Sequence, residues 1–429
     1  MQKGILGSVI AVLGVAVLLI TMVPSAFALT VKAGEAVVHY RPSVPAVPAQ
    51  YGQSSQSVAE TRQNLTTVSS LAINSDETFA SPEEMEKFLA DNPLFPASGN
   101  IIVVDAMDRP DTSCNITWDE GDYHYRICRT VDQAMNYAKF GDLIALTPGK
   151  MHYVENDIFA KKGVSIFGTR QALLINADSS FALFYANLTA TEGEYSLYSG
   201  FSVLNDHDRS WGGGIQVARA SGLMMHSLKF VGIPSKFPLP TIGGDYRMYC
   251  GVSIYHSQNI WLLNSALVGI QSPVIVSADR LDPAQVYLEN NEIVSSAGVA
   301  LNLRIEGNSK VEIVNNSFYD NQVDLMTTVL TGVPYPTVDL TANGFFNHRH
   351  QYQNMGDFFW YHGSMPRLTT RAENLVNQDP LYLADTLYKL NPKSPYREAG
   401  WNRLGGEPTD IGMHGGFGVY NFLPIAEAR

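Results

Sequence analysis

The stretch KVEIVNNSFYDN, Lys310 to Asn321, repeats a rhythm already set by QVYLENNEIVSS, Gln285 to Ser296. In both, two apolar residues alternate with polar ones, an Asn-Asn pair follows, and a further apolar residue closes the unit. The same opening recurs at Leu223 (LMMHSLKF), Ile260 (IWLLNSAL), Val286, Val311 and Val338 (VDLTANGF), with a degenerate earlier copy, YSLYSGFSV, from Tyr195. From Ile260 onward the spacing is about 25 residues, and a fixed spacing constrains the fold more than any local propensity.

Within each unit, alternation sends two residues of a first strand inward. A polar turn follows at Asn264, Asn290 and Asn315, and then a second inward residue at Leu267, Ile293 and Phe318. A third strand begins after glycine, as in GIQVA from Gly214, GVSIY from Gly251 and GVALNLR from Gly298. Three short strands in about 25 residues are too few for a propeller blade of about 40, and the leucine-rich consensus is absent. The pattern fits a coil of a solenoid whose strands stack in parallel on those of the previous coil. Stacked Asn side chains at the turn are expected to hydrogen-bond along the axis, pairing backbone groups that would otherwise be buried alone. The expected fold is all-β: a single-domain right-handed parallel β-helix over 171–346, with 101–170 as its N-terminal cap and first coils and 347–429 as its C-terminal coil and cap.

Upstream, residues 1–28 read as an export signal: Lys3, an apolar run from Ile5 to Val23, and small residues at Ala26 to Ala28. The apolar run is also long enough for an uncleaved anchor; the break at Pro24 and the small-residue site favour cleavage, and no second span follows. The reading places the mature protein outside the cell, at its surface or in the periplasm, as a monomer. Residues 29–100 are linker-like, with HYRPSVPAVPAQYGQSSQS rich in Pro, Ser and Gln. One short helix is expected there at SPEEMEKFLADNP, capped by Ser81 and Glu84 with Pro82 in its first turn. In an oxidising compartment Cys114 and Cys128, which enclose CNITWDEGDYHYRIC, are expected to pair, leaving Cys250 as a small buried apolar residue. The formal charge of −12 and the lack of any Lys/Arg run exclude the concentrated basic surface of a nucleic-acid binder.

Next, Val131, Ala134, Met135 and Ala138 share one helical face, Gly141 stops the helix, and the strands LIAL and GVSIFG follow. This entry segment resembles that of secreted right-handed β-helix proteins of the pectate-lyase-like superfamily. The tail from Asn377 to Gly416, with Asp-Pro, Ser-Pro, a glycine-containing turn and Asp-Ile-Gly, is similar to their terminal segment, and the similarity spans about residues 120 to 418. The resemblance implies the fold and a class that includes polysaccharide lyases, uronate epimerases, glycosidases and surface proteins without activity. In its anionic-sugar members, Arg or Lys neutralises a uronate carboxylate and a basic side chain removes the C5 proton, in some with Ca²⁺ held by Asp.

Two interruptions of the repeat suggest where chemistry sits. PSKFPLPTIGGDYRMYCG precedes the strand at Val252, and NDHDRSWGGG precedes that at Ile215, so both insertions leave the same corner of neighbouring coils. They are expected to wall a groove across the Ile215, Val252 and Val299 strands. Asp206, Asp208, Asp245 and Arg304 are the candidate catalytic residues. His207, Arg209, Trp211, Tyr246, Arg247, Tyr255 and Asn302 are the candidate substrate ligands, with Tyr249 beside them; Tyr255, Asn302 and Arg304 face outward by alternation. Aromatic rings stack on pyranose faces, and Arg and Asp bind hydroxyls and carboxylates. In a hydrolase, Asp206 or Asp208 would pair with Asp245. No metal set is assigned, and NDHDRS also reads as an ordinary solvated turn. His226 and Lys229 are expected at the surface, and DFFWYHGSMPRL, Asp357 to Leu368, over the last open coil. The function expected is binding of extracellular polysaccharide, with cleavage or epimerisation as its enzymatic form; the alternative is a non-catalytic adhesion or structural module.

Overall fold

A computed structural model describes residues 99–104, 114–120, 123–146, 150–168, 172–177, 179–186, 196–205, 212–232, 248–329, 334–349, 358–383, 388–402 and 408–413. The expected signal peptide and nearly all of the expected linker, including its short helix, lie outside these residues. Among the described residues, no helix is long and apolar enough to cross a membrane.

The chain forms a parallel β-helix. Each turn contributes one strand to each of three long sheets, here I, II and III, of twelve, nine and eight strands. One coil shows the order: Gln258–Leu263 lies in sheet I, Ala266–Val268 in sheet II and Ser272–Ala278 in sheet III, before Gln285–Glu289 returns to sheet I. The repeat read from the sequence is the register of sheet I, where Leu223, Ile260, Val286, Val311 and Val338 stand directly above one another. In sheet II the inward column is Phe230, Leu267, Ile293, Phe318 and Phe345. In sheet III it is Ile215, Val252, Val274, Leu301 and Leu325. All of these are buried in one continuous core, and each such side chain contributes about 1.5–3 kcal/mol of transfer free energy. Phe318 and Phe345 stack with centroids 4.9 Å apart.

Two adjacent residues divide the work at the corner between sheets I and II. Asn264, Asn290 and Asn315 hold φ of 48, 53 and 55°, and Ala342 takes the same place at 53°; they turn the chain. The ladder along the axis is made one residue later. Asn291 Nδ2 donates to Asn316 Oδ1 (2.9 Å), Asn316 Nδ2 to Asn343 Oδ1 (3.1 Å) and Asn343 Nδ2 to Asn374 Oδ1 (3.0 Å). The axial stacking expected of the Asn264, Asn290 and Asn315 corner thus belongs to their successors. A side chain at the left-handed residue points away from the axis, whereas that of the next residue points into the corner.

At the N-terminal end the Cys114–Cys128 bridge is formed. The loop it encloses is an antiparallel hairpin, Ile116–Glu120 with Tyr123–Cys128, that extends sheet I. The helix Val131–Tyr137 follows, with Thr130 as N-cap and Val131, Ala134 and Met135 buried. Two readings change elsewhere. Asp357 to Leu368 does not lie over the last coil: Phe359–Gly363 and Arg367–Thr369 are strands of it, paired to Leu325–Val329 and Thr337–Asp339. The segment beyond runs back along the outside of sheet II. Gly344 sits against the Tyr396 ring, Ser317 meets Tyr382, and Met413 N–H donates to Glu292 Oε2 (3.2 Å). His226 and Lys229, expected at the surface, are each 3% exposed.

Candidate functional site

The three sheets differ in what becomes of their outward side chains. On sheet I, Leu197, Met224, Tyr287, Glu312 and Asp339 point away from the core yet are 1 to 7% exposed. On sheet II, Leu204, Val231, Glu292 and Val294 are similarly buried. Outward residues are partly or fully exposed on both as well, at Trp261, Gln285, Lys310, Thr337 and Arg367 on sheet I and at Val268, Tyr319 and Phe346 on sheet II, but sheet III is open along nearly its whole length. One outward column passes from Phe159 and Phe184 through Gln216, Ser253, Ile275, Asn302 and Met326 to Trp360. The column beside it is Ala218, Tyr255, Ser277, Arg304, Thr328 and His362. All but Asn302 are partly or fully exposed, Phe159 at 67% and Tyr255 at 43%. Eight strands make this face about 34 Å long at the usual strand spacing.

The corner between sheets II and III frames it. Asn205 and Gly212, Gly232 and Met248, and Arg349 and Phe358 stand at it, and the residues between each pair lie outside the described residues. In the coils between, Gly269, Ser295 and Asp320 turn the corner with φ of 64, 55 and 55°. The Asp320 carboxylate there accepts from Ser295 Oγ (3.1 Å), Asn347 Nδ2 (3.0 Å) and Arg349 Nε (3.1 Å). Asp206, His207, Asp208, Arg209, Trp211, Asp245, Tyr246 and Arg247 lie outside the described residues. Of the other expected ligands, Tyr249 donates its backbone N–H to Gly212 O (2.8 Å), tying the two insertion-bearing coils together. Tyr255 and Arg304 face outward as expected. They are not neighbours, because the strand Ser272–Ala278 lies between theirs and puts Ser277 between them. The strand escaped the sequence reading because it opens on Ser-Pro rather than glycine. Asn302 faces outward but is 5% exposed, and its Oδ1 finds no hydrogen-bond partner. Trp360 and His362 were missed because FWYHG was read as a cover, although its alternation matches the strand before it.

Carboxylates and their partners lie beside these two columns rather than on them. The Tyr255 ring meets the His256 ring edge-on at 4.0 Å, and His256 Nε2 lies 3.7 Å from Asp279 Oδ2. Backbone N–H groups of Asp282 and Leu281 hold the Asp279 carboxyl below its ordinary range. Asp324, fully buried at the II–III corner, lies 3.5 Å from His348 Nδ1 and accepts from Asn321 Nδ2 (3.0 Å). Burial pushes its pKa up to about 6 against the pull of those two neighbours. On sheet II, burial beneath the returning C-terminal segment drives Glu292 well above the carboxylate range, against hydrogen bonds from Ser317 and the Met413 N–H. On sheet I, Glu312 and Asp339 stand in register, 3.8 and 3.1 Å from Arg371 Nη2. They are two close carboxylates, but buried and neutralised. Among the described residues, no group of three His, Cys, Asp or Glu side chains could hold a metal. A scan against models of known protein families finds no match, and no curated protein matches the chain.

Proposed function

We propose that this is an exported protein that binds extracellular polysaccharide along the outward face of sheet III. One observation carries the reading: two adjacent outward columns of this sheet are partly or fully exposed at every position but Asn302, and they hold aromatic rings, amides, hydroxyls and a guanidinium. A long flat strip of that composition suits an extended sugar chain, whose apolar ring faces stack on aromatics while its hydroxyls meet polar side chains. Asn302 Oδ1, buried beside Arg304 without a donor, is an acceptor for a ligand hydroxyl. The disulfide accords with export. The finer resemblance, to pectate-lyase-like proteins, would add lyase, epimerase or hydrolase chemistry. The two described columns carry no carboxylate, so a hydrolytic pair would come from Asp206, Asp208 and Asp245. That same observation favours the second reading, a binding or adhesion module without turnover.

The test is a panel of acidic and neutral polysaccharides given to the mature protein with and without Ca²⁺, following unsaturated-uronate absorbance and reducing ends, with binding measured in parallel. Absorbance with new ends marks a lyase and ends alone a hydrolase; binding without either marks the module. Arg304→Ala and Tyr255→Ala should weaken binding while leaving the melting temperature unchanged. Unaltered affinity in both variants would remove sheet III from the reading.

A further inference from the structure

The two outward columns of sheet III differ in chemistry. One is richer in apolar groups: it begins at Phe159 and Phe184, whose rings stack at 5.4 Å, and passes Ile275 and Met326 to Trp360, with Gln216, Ser253 and Asn302 interleaved. The other is polar, and among its described residues Arg304 is the single permanent cation. At the border of the strip towards sheet I, Arg219 and Arg280 stand with Asp279, Asp282 and Glu306, so that border adds no net positive charge. The whole chain carries −12.

A polyuronate presents a carboxylate on every sugar. Laying it on this strip would desolvate a row of charges opposite one guanidinium, and each unpaired buried charge is costly. A chain with bare, uncharged rings has the opposite profile: its apolar faces cover the apolar groups of the first column and its hydroxyls meet Ser253, Ser277, Asn302 and Thr328. Granting the polysaccharide reading, we infer that the ligand is a neutral or sparsely anionic glycan, in which at most one acidic substituent per bound stretch meets Arg304. Position fixes where that substituent falls. Arg304 is two strands from Tyr255 and two from His362, about 10 Å each way, so the acid sits near the middle of the polar column.

The experiment is calorimetric titration of the full mature chain with three probe sets: neutral cello-, laminari- and manno-oligosaccharides, the same oligosaccharides carrying one uronic acid, and oligogalacturonates or oligoguluronates with and without Ca²⁺. The expected result is binding of a neutral set with little dependence on salt. A single uronate should strengthen that binding about tenfold, the worth of one charge-assisted hydrogen bond, and Arg304→Gln should abolish that gain, so that charged and neutral probes bind the variant equally. Phe184→Ala should weaken neutral and singly charged probes alike. Oligouronates binding more tightly than the neutral sets, or with a steep loss of affinity as salt rises, would overturn the inference and leave the polysaccharide reading standing. No binding by any of the three sets would overturn both.

Discussion

Replacing Asn316 by alanine tests how the coils are held in register. Its Nδ2 donates to Leu288 O (2.9 Å), Val314 O (3.0 Å) and Asn343 Oδ1 (3.1 Å). Its Oδ1 accepts from the backbone N–H and the side chain of Asn291, at 3.0 and 2.9 Å. All these groups are buried, so alanine strands the Asn291 N–H and the Leu288 carbonyl and breaks the ladder on both sides. At about 1–3 kcal/mol for each buried group left unpaired, Asn316→Ala should cost about 3–5 kcal/mol. The control is one coil away and one position earlier. Asn290 holds φ of 53°, and its Oδ1 makes no hydrogen bond. Asn290→Ala should therefore cost only the strain of a left-handed non-glycine residue, about 1 kcal/mol, and Asn290→Gly less. Urea unfolding of the mature protein at pH 7 separates the cases. Equal losses at the two positions, or less than about 1 kcal/mol at Asn316, would refute the division between a turning residue and a ladder residue.

Four further outcomes follow from buried groups. Asp324 is fully buried with its pKa pushed up to about 6, so the folded state favours its protonated form. The stability it lends is present below the unfolded value of 3.8 and falls by about 3 kcal/mol as pH rises through 6; Asp324→Asn should flatten unfolding free energy against pH over that window. Glu292 is shifted the same way, so Glu292→Gln should raise the melting temperature at neutral pH relative to pH 4, measured against wild type. The Cys114–Cys128 bridge closes a hairpin with sequence separation 14, and reducing it should lower unfolding stability by about 3 kcal/mol. Cys250 is buried and its thiol is held well above its usual range, so a thiol reagent should label the native protein only after denaturation.

Inward positions were legible because a stacked strand must place its apolar residue at the same point of every coil, which writes the register of sheet I into the spacing Ile260, Val286, Val311 and Val338. The ladder was misplaced by one residue because both members of the Asn-Asn pair are asparagine, and only φ separates their roles. Tyr255 and Arg304 could be assigned outward from alternation, which is local. The strand between them lacked a turn signal, so their separation was not. The return of the described C-terminal residues over sheet II has no period to announce it; it rests on single contacts such as Met413 with Glu292 and Trp401 N–H with Asn315 Oδ1 (2.7 Å). That Asn302 is both outward and buried follows from its neighbours, not from its strand.

The buried acids explain why one face is singled out. A β-helix strand always sends alternate residues outward, so each sheet must leave them in water or have them covered. Where they are covered, any polar group among them loses water and must be neutralised in place. Sheets I and II show this consequence twice. Glu312 and Asp339 are bound by Arg371, and Glu292 is held towards its protonated form under Tyr382 and Met413. Sheet III shows it once more at its corner with sheet II, where the outward Asp324 is buried beside His348, but not along its two open columns: their guanidinium, phenol, hydroxyls and rings are partly or fully exposed, and the one buried member, Asn302, has an amide oxygen still unpaired. Covering this face with the protein's own chain would impose on Arg304 the neutralisation that Glu312 and Asp339 required. Its exposed state is therefore the one in which its polar groups need no further partner until a ligand supplies one, and a ligand that supplies hydroxyls and at most one acid supplies what those groups lack.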